Sequence, residues 1–95
     1  MVGVVVIEVH MPACRSLKDK RSVLRPVIEG LRTRHPATVA EVGHQDLHQR
    51  AVIEVAVAGS SARVVGDTLD AIERQVWSHG GLEVIAARRR WSEDE

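Results

Sequence analysis

The repeat of apolar residues switches between every second position and every third or fourth along the chain, and each switch marks an element. Residues 2–11 (VGVVVIEVHM) are mostly β-branched and start without a cap, which predicts a strand ended by Pro12. Ser16 followed by Asp19 resembles a capping box, the serine accepting from first-turn amides and the carboxylate lying at the positive helix end. Leu17, Leu24, Val27, Ile28 and Leu31 then fall on one helical face, predicting a helix over 16–34. Pro26 cannot donate to the Ser22 carbonyl, so a bend is expected there. His35-Pro36 ends the helix.

Residues 37–44 and 50–58 (RAVIEVAVA) predict two further strands, with Gly59-Ser60-Ser61 as turn and cap. Val65, Leu69, Ile72 and Val76 repeat at helical spacing to about Ser78, where Gly80-Gly81 stops the helix. Residues 82–91 (LEVIAARRRW) predict a fourth strand, and 92–95 an acidic tail. The order strand, helix, strand, strand, helix, strand is the split βαβ pattern: an α+β sandwich of a four-stranded antiparallel sheet with two helices on one face. At 95 residues the chain is a single domain, 1–95, because two cores would each be too small to fold unaided.

Composition narrows the core. The 44% hydrophobic content is Val, Ala, Leu and Ile, with no Phe or Tyr and only Trp77 and Trp91, so the interior is aliphatic. Thirteen basic residues balance thirteen acidic ones, and any electrostatic partner must be read from charge distribution. A single cysteine, Cys14, excludes an internal disulfide. The apolar run Val2 to Val9 is too short for export or membrane spanning, so a soluble, cytoplasmic protein without a membrane partner is expected.

Two stretches, Ser16-Leu17-Lys18-Asp19-Lys20-Arg21 and 40-AEVGHQDLHQRA-51, resemble the YlxP-like family of small bacterial proteins, a domain of unknown function. The likeness covers nearly the whole chain, and the two motifs are specific together because residues and separation both match. It implies a ferredoxin-like βαββαβ fold and a genomic setting beside translation-initiation and ribosome-maturation factors. Lys18, Lys20 and Arg21 match the family's basic helix start, and His44, Gln45, Asp46, Gln49 and Arg50 match its loop. Gly43 and His48 depart from the pattern, standing where a polar and an aromatic residue are expected.

The first helix carries the strongest surface signal. Arg15, Lys18, Lys20, Arg21, Arg25, Arg32 and Arg34 face only Asp19 and Glu29 in sequence, and Lys18, Arg21, Arg25 and Arg32 form a stripe at helical spacing. Such a stripe follows a phosphate backbone, and Arg15, Lys18, Lys20, Arg21, Arg25 and Arg32 are the candidate nucleic-acid contacts, with ribosomal RNA or a ribosomal subunit as partner. The competing reading is a solvated face with ordinary i,i+3 and i,i+4 pairs. By alternation Val4, Val6, Glu8, His10, Val52, Glu54 and Ala56 share the open sheet face. That face is expected to be acidic and aliphatic, lacking aromatics to stack bases, and suited to a homodimer, a protein partner or a small ligand.

Other chemistry is weaker. His44, Asp46 and His48 make an H-x-D-x-H string that zinc would accept if extended, but no fourth ligand is evident. The favoured roles are structural: Asp46 accepting from loop amides or pairing with Arg50, and Gln45 and Gln49 satisfying carbonyls. Cys14 beside Arg15 and a helix start has electrostatics that lower a thiol pKa, yet no base is placed for it and a spectator is favoured. Acylphosphatases share this shape and bind phosphate after the first strand; here Pro12 replaces the needed glycines and only Arg15 remains suggestive. No Walker, Rossmann, paired-carboxylate or serine-nucleophile pattern is present, so the chain is expected to be a binding module without cofactor, with a weak phosphate-group enzyme centred on Arg15 as the third reading.

Overall fold

A computed structural model describes residues 1–92. The elements are β1 (Val2–His10), α1 (Leu17–Arg34), β2 (Ala37–Gly43), β3 (Arg50–Ala58), α2 (Ala62–Trp77) and β4 (Glu83–Ser92). One antiparallel sheet has the strand order β2-β3-β1-β4, so each helix bridges two strands that flank a third. This is the ferredoxin-like α+β architecture expected from the element order. Ser92 belongs to β4 instead of the expected tail, and residues 93–95 lie outside the described ones.

Capping fixes where the helices begin. Asp19 N–H donates to Ser16 Oγ at 3.0 Å, and the Asp19 carboxylate accepts from Arg15 N–H at 2.9 Å, so the reciprocal pair reaches one residue before the cap. Ser61 Oγ accepts from Val64 N–H at 3.2 Å and starts α2 in the same way. α1 runs uninterrupted through Pro26, whose ring lies on the exposed side.

The core lies between the helices and one sheet face. Val5, Ile7 and Val9 of β1 alternate inward and meet Ile53, Val55 and Val57 of β3, Leu24, Val27 and Leu31 of α1, and Val65, Leu69, Ile72 and Val76 of α2. It is aliphatic apart from Met11 and Cys14, and both tryptophans are exposed, Trp77 by 62% and Trp91 by 44%. Leu17 is more exposed than its helical spacing suggests, and its place in the buried stripe of α1 is taken by Lys20. Two register shifts matter. Glu41 pairs with Ile53 but Gly43 with Val52, leaving Val42 as a bulge, and a similar shift on β4 sets Ile85 outside the β1 register.

Candidate functional site

Lys20 is the structure's main correction to the basic stripe. It is 3% exposed, so it is removed from the candidate nucleic-acid contacts. Its ammonium donates to His44 O at 2.7 Å and Leu47 O at 2.8 Å, and pairs with Glu41 Oε2 at 2.7 Å. Two hydrogen bonds and one ion pair hold the buried ammonium, while Glu41 Oε2, itself buried, accepts no hydrogen bond among the described residues. Glu41 can serve because it sits just before the β2 bulge, on the strand side that faces the helices.

The 43–49 loop is thereby stapled to α1. His44 has φ of 56°, in the left-handed region, and its carbonyl accepts both Lys20 Nζ and Leu47 N–H at 3.0 Å. Gln49 Nε2 donates to Cys14 O at 3.1 Å and Pro12 O at 3.4 Å, and Gln45 Nε2 reaches Glu41 O at 3.4 Å, as expected of carbonyl-satisfying glutamines. Arg50 corrects the reading of Asp46: its guanidinium hydrogen-bonds Glu8, and Asp46 makes no hydrogen bond among the described residues. The Arg50 hydrogen bond, aided by its charge and by His44 Nε2 at 3.4 Å, holds the Glu8 carboxyl below its usual range. His44, Asp46 and His48 do not gather at a common point among the described residues. The two motifs that carry the family likeness are thus one locked unit.

Outside that lock, the outer face of α1 is a cationic surface. Lys18, Arg21 and Arg25 are exposed and have no ion-pair partner among the described residues. Arg32 is tied down, donating to Glu29 Oε1 at 2.7 Å and Val39 O at 2.6 Å. Arg15 is exposed at the approach to the helix, with its own amide held by Asp19. The amides of Met11 and Cys14 are also donated internally, to Gln49 O and Met11 O. Cys14 itself is buried, and burial followed by the Asp19 charge pushes its thiol up, opposite to the lowering expected from its neighbours in sequence.

The open sheet face holds Val4, Val6, Val52 and Ala56 as expected, but it is not acidic. Arg88 and Arg90 of β4 lie opposite Val6 and Val4 on that face, Arg90 pairs with Glu54 at 2.9 Å, and Arg50 pairs with Glu8. The strand alternation of β4 carried this signal. Arg89, one position out of phase, turns to α2 and donates to Glu73 at 2.6 Å and Asp70 at 2.7 Å. Burial opposes its charge, but the two carboxylates outweigh that and raise its pKa above the ordinary arginine value.

Beside the cationic face, α1 and the β2 edge enclose a groove of about 340 Å³. Leu24 and Ile28 line it with the guanidinium-bearing side chains of Arg21, Arg25 and Arg32, and Glu41 and Gln45 close its far side.

No helix is long and apolar enough to cross a membrane among the described residues. A family model described as a protein of unknown function (DUF503) matches residues 2–89. The chain is also 26% identical over 91 residues to the uncharacterized protein YlxP of Bacillus subtilis (strain 168), covering 96% of this chain and 99% of that protein. Matched from the first strand into the fourth, with both motifs joined through Lys20, the chain belongs to the YlxP-like DUF503 family.

Proposed function

We propose that this chain is a cytoplasmic binding module that lays the outer face of α1 on RNA, ribosomal RNA being the target suggested by the setting the family likeness implies. The observation that supports it is the contrast in charge pairing. Of the four arginines on the sheet, Arg50, Arg89 and Arg90 are neutralised by carboxylates and Arg88 lacks one among the described residues, whereas Lys18, Arg21 and Arg25 stand free side by side on one helix face. Unpaired, solvated cations in a row release counterions when they meet phosphates. The module acts by contact, with no cofactor and no bond broken.

Three or four phosphate contacts give weak binding, with dissociation constants on the order of 10⁻⁴ to 10⁻⁶ M at physiological salt. The logarithm of affinity for a single-stranded RNA should fall with the logarithm of salt at a slope of about 2 to 3 in magnitude. Fluorescence anisotropy across a salt series measures this. A slope near zero, or binding equally tight after Lys18, Arg21 and Arg25 are reversed to Glu, contradicts the reading.

A second reading, self-association through the open sheet face, is favoured by the half-buried Val4, Val6, Val52 and Ala56 and by the internal pairing of Glu8 and Glu54, which leaves no free carboxylate from those two residues to repel a second copy. Sedimentation equilibrium of the chain and of Val6→Glu tests it: a dimer lost on substitution supports this surface, and a monomer throughout rejects it.

A further inference from the structure

The groove between α1 and β2 has a polarity that the phosphate-binding face alone does not use. Its apolar lining is Ile28, the exposed Leu17 and the almost fully buried Leu24, aliphatic surface against which a planar ring can pack. The α1 wall carries the guanidinium donors of Arg21 and Arg25, which have no ion-pair partner among the described residues, beside the mutually neutralised Glu29 and Arg32. The opposite wall carries acceptors. Glu41 Oε2 is ion-paired with Lys20, neither carboxylate oxygen accepts a hydrogen bond among the described residues, and the Gln45 amide is engaged only through Nε2. At about 340 Å³ the groove is at the small end of ligand sites, roughly 300–1,000 Å³.

Donors on one wall and acceptors on the other select among the bases. Guanine alone presents two acceptors, O6 and N7, on one edge and adjacent N–H donors, N1 and N2, on the next. Arginine to O6 and N7 is the commonest specific guanine contact, and a carboxylate or amide oxygen suits the N1–H and N2–H side. Arg21 and Arg25 border both the groove and the exposed phosphate-binding face, so a strand lying on α1 can turn one nucleotide inward. Unpaired RNA bases are commonly splayed out and read in this way, with guanidinium planes stacking on them.

We propose that the α1/β2 groove takes one unpaired guanine of an RNA strand, its O6 and N7 meeting Arg25 while the flanking phosphates lie on Lys18 and Arg21; this rests on the RNA reading above and adds a base preference to it. The Lys20 staple then has a functional consequence, because it fixes the Glu41 carboxylate on the groove wall before RNA arrives.

The test is fluorescence anisotropy with four eight-nucleotide RNAs, oligo(U) carrying G, A, C or U at one central position. The G strand is expected to bind about tenfold tighter than the all-U strand, within the range that one bidentate base contact provides. In the Gln45→Ala protein, whose only loss is a long hydrogen bond to Glu41 O, the four affinities should converge. Equal binding of all four strands by the unaltered protein overturns the guanine groove and leaves phosphate contact standing; absence of binding to any strand overturns both. Guanosine monophosphate should displace the G strand only at far higher concentration, and competition at equal concentration would overturn the strand in favour of a free nucleotide.

Discussion

Replacing Lys20 by methionine keeps its length but removes the donors that hold His44 O, Leu47 O and Glu41, leaving a half-buried carboxylate and two carbonyls without their partner. The cost should be about 3 kcal/mol, the size expected when one member of a buried pair is removed, read from the urea midpoint. A loss below about 0.5 kcal/mol, ordinary for a surface site, would show that the loop is held by other means. Glu8 gives a pH signature. Its folded carboxyl titrates below its ordinary value of 4.5, so its pairing with Arg50 stabilises the fold fully above that value and is lost as pH falls through the folded pKa. The difference in unfolding midpoint between the natural chain and Glu8→Gln should therefore be full near about pH 7 and shrink toward about pH 3; an unchanged difference contradicts the pairing. Cys14, buried with its thiol pushed up, should resist iodoacetamide in the native protein and react once unfolded; rapid native alkylation would place it at the surface. Single residues were the hardest thing to read from sequence. Lys20 lies in step with Leu24, Val27 and Leu31, a buried stripe visible in the spacing, but its charge argued for solvent, and its acceptors come from a loop about 24 residues away that only the fold brings near.

Elements were legible because their signals are local. Serine caps, alternating valines and the His35-Pro36 stop set boundaries that fall within a residue or two of those observed. The two bulges were not, since an extra residue in an edge strand leaves the hydrophobic alternation nearly intact; Glu41, just before the β2 bulge, faces the helices by plain alternation from Val39. Packing of α2 on β1 depends on a glycine. A Cβ on Gly3 would lie 2.6 Å from Val65 Cγ1 and 3.0 Å from Leu69 Cδ1, both fully buried side chains. Gly3→Ala should therefore destabilise by about 1 to 3 kcal/mol through overpacking. Thermal unfolding checks it, and a neutral or stabilising effect would show that α2 can move away from the sheet at little cost.

For the whole molecule, a formal net charge of zero conceals an uneven distribution. The sheet pairs Arg50, Arg89 and Arg90 with carboxylates and leaves Arg88 without one among the described residues, while α1 keeps three free cations in a row next to a groove of mixed polarity. Sequence pattern located that face but overcounted it, because Lys20 and Arg32 are held by other partners, and it misjudged the sheet by omitting Arg88 and Arg90. The central claim, that the outer face of α1 meets RNA, is tested most directly by co-sedimenting the protein with ribosomal subunits from its own source at low and raised salt, alongside a variant with Lys18, Arg21 and Arg25 changed to Glu. Saturable binding to one subunit that weakens with salt and is lost in the variant is the predicted result. Binding that survives the reversal, or no binding by the natural chain at either salt, would contradict it.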